Sequence, residues 1–127
     1  MGCGDTYLLY DEDNYDGKPH LHVVITEPDE DGQIVLVSVT TRRAKSDTMV
    51  CLNIGDHEFI IQPSVITYAY SKVLTVSKLA DMVVKGDATP KEKATAQLVT
   101  RAQNGMLETD RAPYDAQRLF KAFSTRK

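Results

Sequence analysis

His20-Leu21-His22-Val23-Val24-Ile25-Thr26 and Gln33-Ile34-Val35-Leu36-Val37-Ser38-Val39-Thr40-Thr41 flank the connection Glu27-Pro28-Asp29-Glu30-Asp31-Gly32. Both flanks are rich in Val, Ile and Thr, whose branched side chains pack well on a pleated surface. The connection ends in Asp-Gly, a dipeptide that readily takes the positive φ angles of a tight hairpin turn. Two paired strands are therefore predicted, over 20–26 and 33–41. Working outward, Thr6-Tyr7-Leu8-Leu9-Tyr10 reads as a preceding strand, and residues 14–19, with Asn, Asp, Gly and Pro, as a loop. Shorter strands are expected over 49–53 and 58–62 around the turn Ile54-Gly55-Asp56-His57, and one or two more over 64–76. Short strands joined by tight turns are the pattern of a small barrel or sandwich.

From Thr75 onward the pattern becomes helical. Leu79, Met82 and Val83 recur at helical spacing and the segment stops at Gly86. Thr89-Pro90-Lys91-Glu92 has the form of a capping box and predicts a helix from Pro90 through Ala94, Leu98 and Val99 to Asn104-Gly105. A last helix over 113–123 places Ala116, Leu119, Phe120 and Phe123 on one stripe. The expected fold is mainly β with C-terminal helices: one domain over 1–127, with a small barrel over 4–76 and two or three short helices over 77–127.

At 127 residues, 42% hydrophobic and 26% charged, the chain can bury a core without disulfides. Its two cysteines do not make a secreted disulfide framework, which favours a reducing, cytoplasmic setting. No apolar run approaches the roughly 20 residues that cross a bilayer, and no secretory leader is expected. Met1-Gly2-Cys3-Gly4-Asp5-Thr6 fits a myristoylation pattern, but the charges that follow are acidic, whereas a single acyl chain needs a basic segment to hold a membrane. The net charge of −3 is uneven: most acidic residues lie in the first half, in Asp11-Glu12-Asp13 with Asp16 and in Glu27-Pro28-Asp29-Glu30-Asp31. These read as solvated loops and argue against nonspecific phosphate binding there. Arg42, Arg43 and Lys45 are the basic group of that half.

The three histidines fall at His20, His22 and His57. Residues two apart on a strand share a face, so His20 and His22 lie together. With His57 they point to proton transfer near neutral pH, or, joined by Asp56 or Cys51, to a transition-metal site. Gly55-Asp56-His57-Glu58 also reads simply as a structural turn, and Cys51, inside Met49-Val50-Cys51-Leu52, as a packed core residue. No phosphate-binding Gly-rich loop and no serine nucleophile elbow is present. Of the tyrosines Tyr7, Tyr10, Tyr15, Tyr68 and Tyr70, most are expected to pack in the core, and any that faced outward would offer stacking surfaces.

Gly4-Asp5 opening a strand, Lys18-Pro19-His20-Leu21-His22-Val23-Val24-Ile25-Thr26, and Val35-Leu36-Val37-Ser38-Val39-Thr40-Thr41 follow one another in an order that resembles the PemK/MazF toxin family over about residues 4–76. The resemblance implies an SH3-like barrel, usually a homodimer, that cleaves single-stranded RNA without a metal or other cofactor and is restrained by a cognate antitoxin. Thr40 matches the family hydroxyl that helps hold the transition state. The family arginine of the Arg-Pro pair has no counterpart: Lys18 stands there by the proline, His20 by distance from Val23-Val24. On this reading His20, Thr40, His57 and Lys18 carry catalysis, while Thr41, Arg42, Arg43, His22 and Asp56 bind substrate. The alternatives are a noncatalytic barrel whose acidic half takes a basic protein, and a metal enzyme built on His20, His22 and His57.

Overall fold

The computed structural model describes residues 1–10 and 17–126. The acidic run Asp11-Glu12-Asp13, Asp16, Tyr15 and the first part of the expected 14–19 loop lie outside the described residues. Six strands run in chain order as β1 (Thr6–Leu9), β2 (His20–Val24), β3 (Gln33–Thr41), β4 (Cys51–Leu52), β5 (Ser64–Thr75) and β6 (Thr89–Lys91). Three helices accompany them: α1 (Val76–Lys85), α2 (Ala96–Glu108) and α3 (Tyr114–Arg126). The strands form one antiparallel sheet in the order β4-β5-β3-β2-β1-β6, curled into a half-barrel. Among the described residues no helix is long and apolar enough to cross a membrane.

The hairpin that decides the fold is made as expected. Gly32, at φ 74°, closes the turn by donating its N–H to the Asp29 carbonyl at 3.0 Å. The Asp29 carboxylate accepts from the N–H groups of both Asp31 and Gln33. In β3 the run from Ile34 to Val39 is buried at every position, because the sheet is covered on both faces. Leu21, Val23, Val35, Val37, Ile66 and Tyr68 face α2 and α3, which contribute Leu98, Ala102, Met106, Phe120 and Phe123. Tyr7, Leu9, Val24, Ile34 and Leu36 face α1 through Leu79. The second cover explains why this strand lacks the alternation of a one-sided sheet.

Helix α1 stops where its sequence signal lies. Thr75 accepts from the Lys78 N–H as N-cap, and Gly86 ends the helix at φ 82°, a left-handed conformation that a Cβ disfavours. Helix α3 buries Ala116, Phe120 and Phe123 along the expected stripe.

Three expectations are corrected. Thr89-Pro90-Lys91 is the edge strand β6, paired with Leu8, Tyr7 and Thr6, and not a helix start. Pro90 is tolerated there because an edge strand leaves one side without ladder partners. The helix begins instead after Thr95, whose hydroxyl accepts from the Leu98 N–H at 3.1 Å. It then runs past Asn104-Gly105 to Glu108, and Gly105 has no positive φ. A Cβ on Gly105 would lie 2.7 Å from Tyr68 Cζ and 2.8 Å from Val50 Cγ2, so this glycine lets α2 approach the sheet closely. Residues 58–62 form no strand. They fold back in a turn in which Ile60 N–H donates to the His57 carbonyl at 2.9 Å. Because β6 joins β1, the segment 77–127 is not purely helical.

Tyr68 joins the sheet to α2: its hydroxyl donates to the Ala102 carbonyl at 2.8 Å. Burial, and after it the Asp47 charge, push its phenol well above the ordinary value of 10.0, with Arg101 opposing. The fold therefore favours the neutral phenol. Its contribution is complete below pH 10 and drains away at higher pH, where the unfolded chain ionises first. Urea midpoints measured from pH 8 to 11 are expected to fall more steeply in the wild type than in Tyr68→Phe, which starts about 1 kcal/mol less stable for want of the hydrogen bond. Parallel curves would refute this assignment.

Candidate active site

His57 serves the architecture. It is buried, with both ring nitrogens engaged by backbone. Nε2–H donates to the Glu92 carbonyl at 2.5 Å, and Nδ1 accepts from the Phe59 N–H at 3.0 Å. The same Glu92 carbonyl accepts from the Thr6 hydroxyl. The ring is thus the neutral Nε2–H tautomer, and it links the loop after β4, one edge of the sheet, to the end of β6, the other edge. Lys91 Nζ, 6.0 Å from the centre of the Phe59 ring, lies along the same seam.

Asp56, expected to bind substrate, instead builds the adjoining turn. Its carboxylate accepts from the Asn53 N–H at 2.7 Å and lies 3.6 Å from the Arg101 guanidinium. Arg101 also donates to the Cys51 carbonyl. Cys51 is half-buried on the edge strand, with its thiol directed to the Thr48 carbonyl, and so is less enclosed than a core residue.

The other residues singled out lie on or next to the ends of β2 and β3. Strands β2 and β3 are antiparallel neighbours, so the start of one and the end of the other share an end of the sheet. Their register runs from Val24↔Leu36 to Leu21↔Val39; His20 and Thr40 each stand one residue beyond the last pair, and alternation puts them on the face shared by His22 and Ser38. His20 and Thr40 are both half-buried. Lys18 stands two residues before β2, and Arg42 and Arg43 directly follow β3 with exposed side chains. Arg42 is fixed through its N–H to the Pro63 carbonyl at 2.9 Å, and Arg43 through its N–H to Ser46 Oγ at 2.7 Å. Thr41 Oγ1 accepts from Gln62 Nε2 at 3.3 Å.

His22 shares the His20 face but is fully buried, between Tyr7 and Ser38 in the cross-strand register. Its Nδ1 is 2.8 Å from the His20 carbonyl, to which it donates. This corrects its expected contact with substrate: His22 secures the backbone at the start of β2. Burial, then the Asp5 charge, raise the phenol of Tyr7 above its ordinary value. Of the other tyrosines, Tyr10 is exposed and Tyr70 half-buried.

One participant was not expected. Thr67 of β5 pairs with Ser38, and its hydroxyl lies 2.7 Å from that of Thr40. Nothing in a Thr inside a Val- and Tyr-rich strand marks it out until the register to β3 is known.

No protein-family model and no curated protein matches this chain. The end of the sheet where β2 begins and β3 ends carries His20, the Thr40–Thr67 hydroxyl pair and, in the adjoining segments, Lys18, Arg42 and Arg43. Among the described residues no three His, Cys, Asp or Glu side chains come together as a metal-binding group. His57, the third member of the alternative metal set, has both ring nitrogens committed to backbone.

Proposed function

We propose that the chain is a PemK/MazF-like endoribonuclease toxin on an SH3-like barrel. It cleaves single-stranded RNA without a metal, acts as a homodimer and is restrained by a cognate antitoxin. The observation that supports this reading is that His20 and Thr40 share one face at the end of the sheet where β2 begins and β3 ends, with Lys18, Arg42 and Arg43 in the adjoining segments.

In this mechanism His20 takes the proton of the 2′-hydroxyl as that oxygen attacks the adjacent phosphorus. Thr40 donates to a non-bridging oxygen, and Arg42 and Arg43 neutralise the charge that grows on the pentavalent phosphorane. The Lys18 ammonium supplies the proton taken up by the departing 5′-oxygen. The products are a 2′,3′-cyclic phosphate and a 5′-hydroxyl. His57, proposed from the sequence as the second proton carrier, is replaced in this role because its ring is occupied elsewhere.

Incubating the protein with a mixed-sequence single-stranded RNA in EDTA tests the reading. Cleavage with cyclic-phosphate ends is expected. Intact RNA, with or without added divalent metal, would overturn it and shift the weight to a noncatalytic module whose exposed Glu27, Glu30 and Asp31 meet a basic protein.

A further inference from the structure

We infer that Thr67 is a positioning residue that sets the direction of the Thr40 hydroxyl and makes that hydroxyl selective for an oxyanion. The inference rests on the nuclease reading of the site and adds to it a residue from a different strand.

A threonine hydroxyl has one proton and two acceptor positions. At 2.7 Å, one of the two hydroxyls must donate to the other. If Thr40 donates to Thr67, its proton is spent within the protein and only its lone pairs face outward. If Thr67 donates to Thr40, the Thr40 proton is available to a ligand. A phosphoryl oxygen can only accept, so it selects the second arrangement: Thr67 donates to Thr40, and Thr40 to the phosphoryl oxygen. Both bonds are then polarised in the same sense, and each strengthens the other. No proton is transferred and no covalent bond changes. The pair acts as an oriented donor whose alignment tightens as negative charge grows on the phosphorane, when donors count most for rate.

The placement fits this role. Thr67 lies opposite Ser38, and Thr40 opposite Val65, so the two threonines are diagonal neighbours across the β3–β5 ladder on one face. Both are half-buried, with the exposure needed to meet a ligand and enough enclosure to hold a rotamer. A β-branched side chain has few χ1 states, so a bond between two threonines fixes both oxygens well. Just beyond this pair the ladder shifts register between Leu36 and Ser38. Thr67 is thus the last residue of β5 in register with the catalytic end of β3 before that irregularity.

The test is steady-state cleavage of a single-stranded RNA in EDTA by full-length wild type, Thr67→Val, Thr67→Ser, Thr40→Val and the Thr40→Val/Thr67→Val double variant. Valine keeps the shape of threonine and removes the hydroxyl. Thr67→Val is expected to lower kcat about tenfold with KM changed less than about twofold, and Thr67→Ser to restore kcat. The double variant is expected to be no slower than Thr40→Val alone, because Thr67 acts only through Thr40. If Thr67→Val does not fold, Thr67→Ala removes the same hydroxyl without added bulk, and the same pattern is required of it. An unchanged kcat, a loss seen only in KM, or additive losses in the double variant would overturn the assignment while leaving the nuclease reading intact. A wild type that leaves RNA whole would remove both.

Discussion

His20→Ala is expected to slow RNA cleavage by about 10²- to 10⁴-fold, the usual worth of a positioned acid or base, while the fold keeps its stability to within about 1 kcal/mol. His57→Ala is expected to do the reverse. His20 is half-buried at the end of the sheet that also carries Thr40, on the face shared by His22 and Ser38. The His57 ring spans the two edges of the half-barrel, with Glu92 on one nitrogen and Phe59 on the other. Truncation leaves a cavity and deprives the Phe59 N–H of its acceptor, for a combined cost of about 2–3 kcal/mol. Urea midpoints followed by circular dichroism, together with cleavage rates corrected for the folded fraction, separate the two effects. Equal losses of rate from folded His20→Ala and folded His57→Ala protein would show that both rings act in the chemistry.

Gly105→Leu is expected to cost about 3 kcal/mol or to prevent folding, the largest stability loss foreseen for a single substitution in α2. A Cβ at this position already overlaps Tyr68 and Val50, and a longer side chain must push α2 off the sheet and strain the bond between Tyr68 and the Ala102 carbonyl. Gly105→Ala meets the same obstacle at smaller scale, offset in part by the roughly 1 kcal/mol by which alanine favours a helix over glycine. The cause can be isolated by combination. In a Tyr68→Ala background the obstructing ring is gone and only Val50 Cγ2, at 2.8 Å, still meets the new Cβ, so the penalty of Gly105→Ala there is expected to be smaller than in the wild type. A penalty of the same size in both backgrounds would rule out the contact with the tyrosine as its source.

How much of this was legible in the residues differs from place to place. The β2–β3 hairpin was readable because its turn chemistry is local: Asp29 and Gly32 satisfy the backbone within the connection itself. The C-terminal end of α1 was readable for the same reason, with Gly86 acting over one turn, whereas the Thr75 cap sits inside a strand-like run and was not. Thr89-Pro90 misled because the same residues suit a helix start and an edge strand, and what decides between them is β1, more than eighty residues away. Gly105 misled because a glycine demanded by packing looks like a glycine demanded by φ.

The same contrast governs the site. That His20 and His22 share a face followed from strand geometry alone. Their different fates did not: one is half-buried at the end of the sheet, and the other is enclosed between Tyr7 and Ser38. His57 and Asp56 attracted a chemical reading by residue type, yet both ring nitrogens of His57 hold the seam and Asp56 Oδ2 holds the turn. Thr67 was hidden because alternation gives its face only after a register is chosen, and the β3–β5 register contains an irregularity that local sequence does not announce.

The pairing of β6 with β1 also orders events in time. Thr6, Tyr7 and Leu8 leave the ribosome early, whereas their outer partners Thr89, Pro90 and Lys91, and the Glu92 carbonyl that receives both Thr6 and His57, follow some eighty residues later. At typical elongation rates of roughly 5–20 residues per second, several seconds separate them. During that interval the first strand has one unsatisfied edge, and the seam held by His57 cannot close. The half-barrel is therefore expected to be completed only after synthesis has passed Ala94, whose N–H ties back to the Gly4 carbonyl at 2.8 Å. Nascent chains stalled before that residue are expected to be cut readily by protease within the first strand, and those stalled well beyond it to resist.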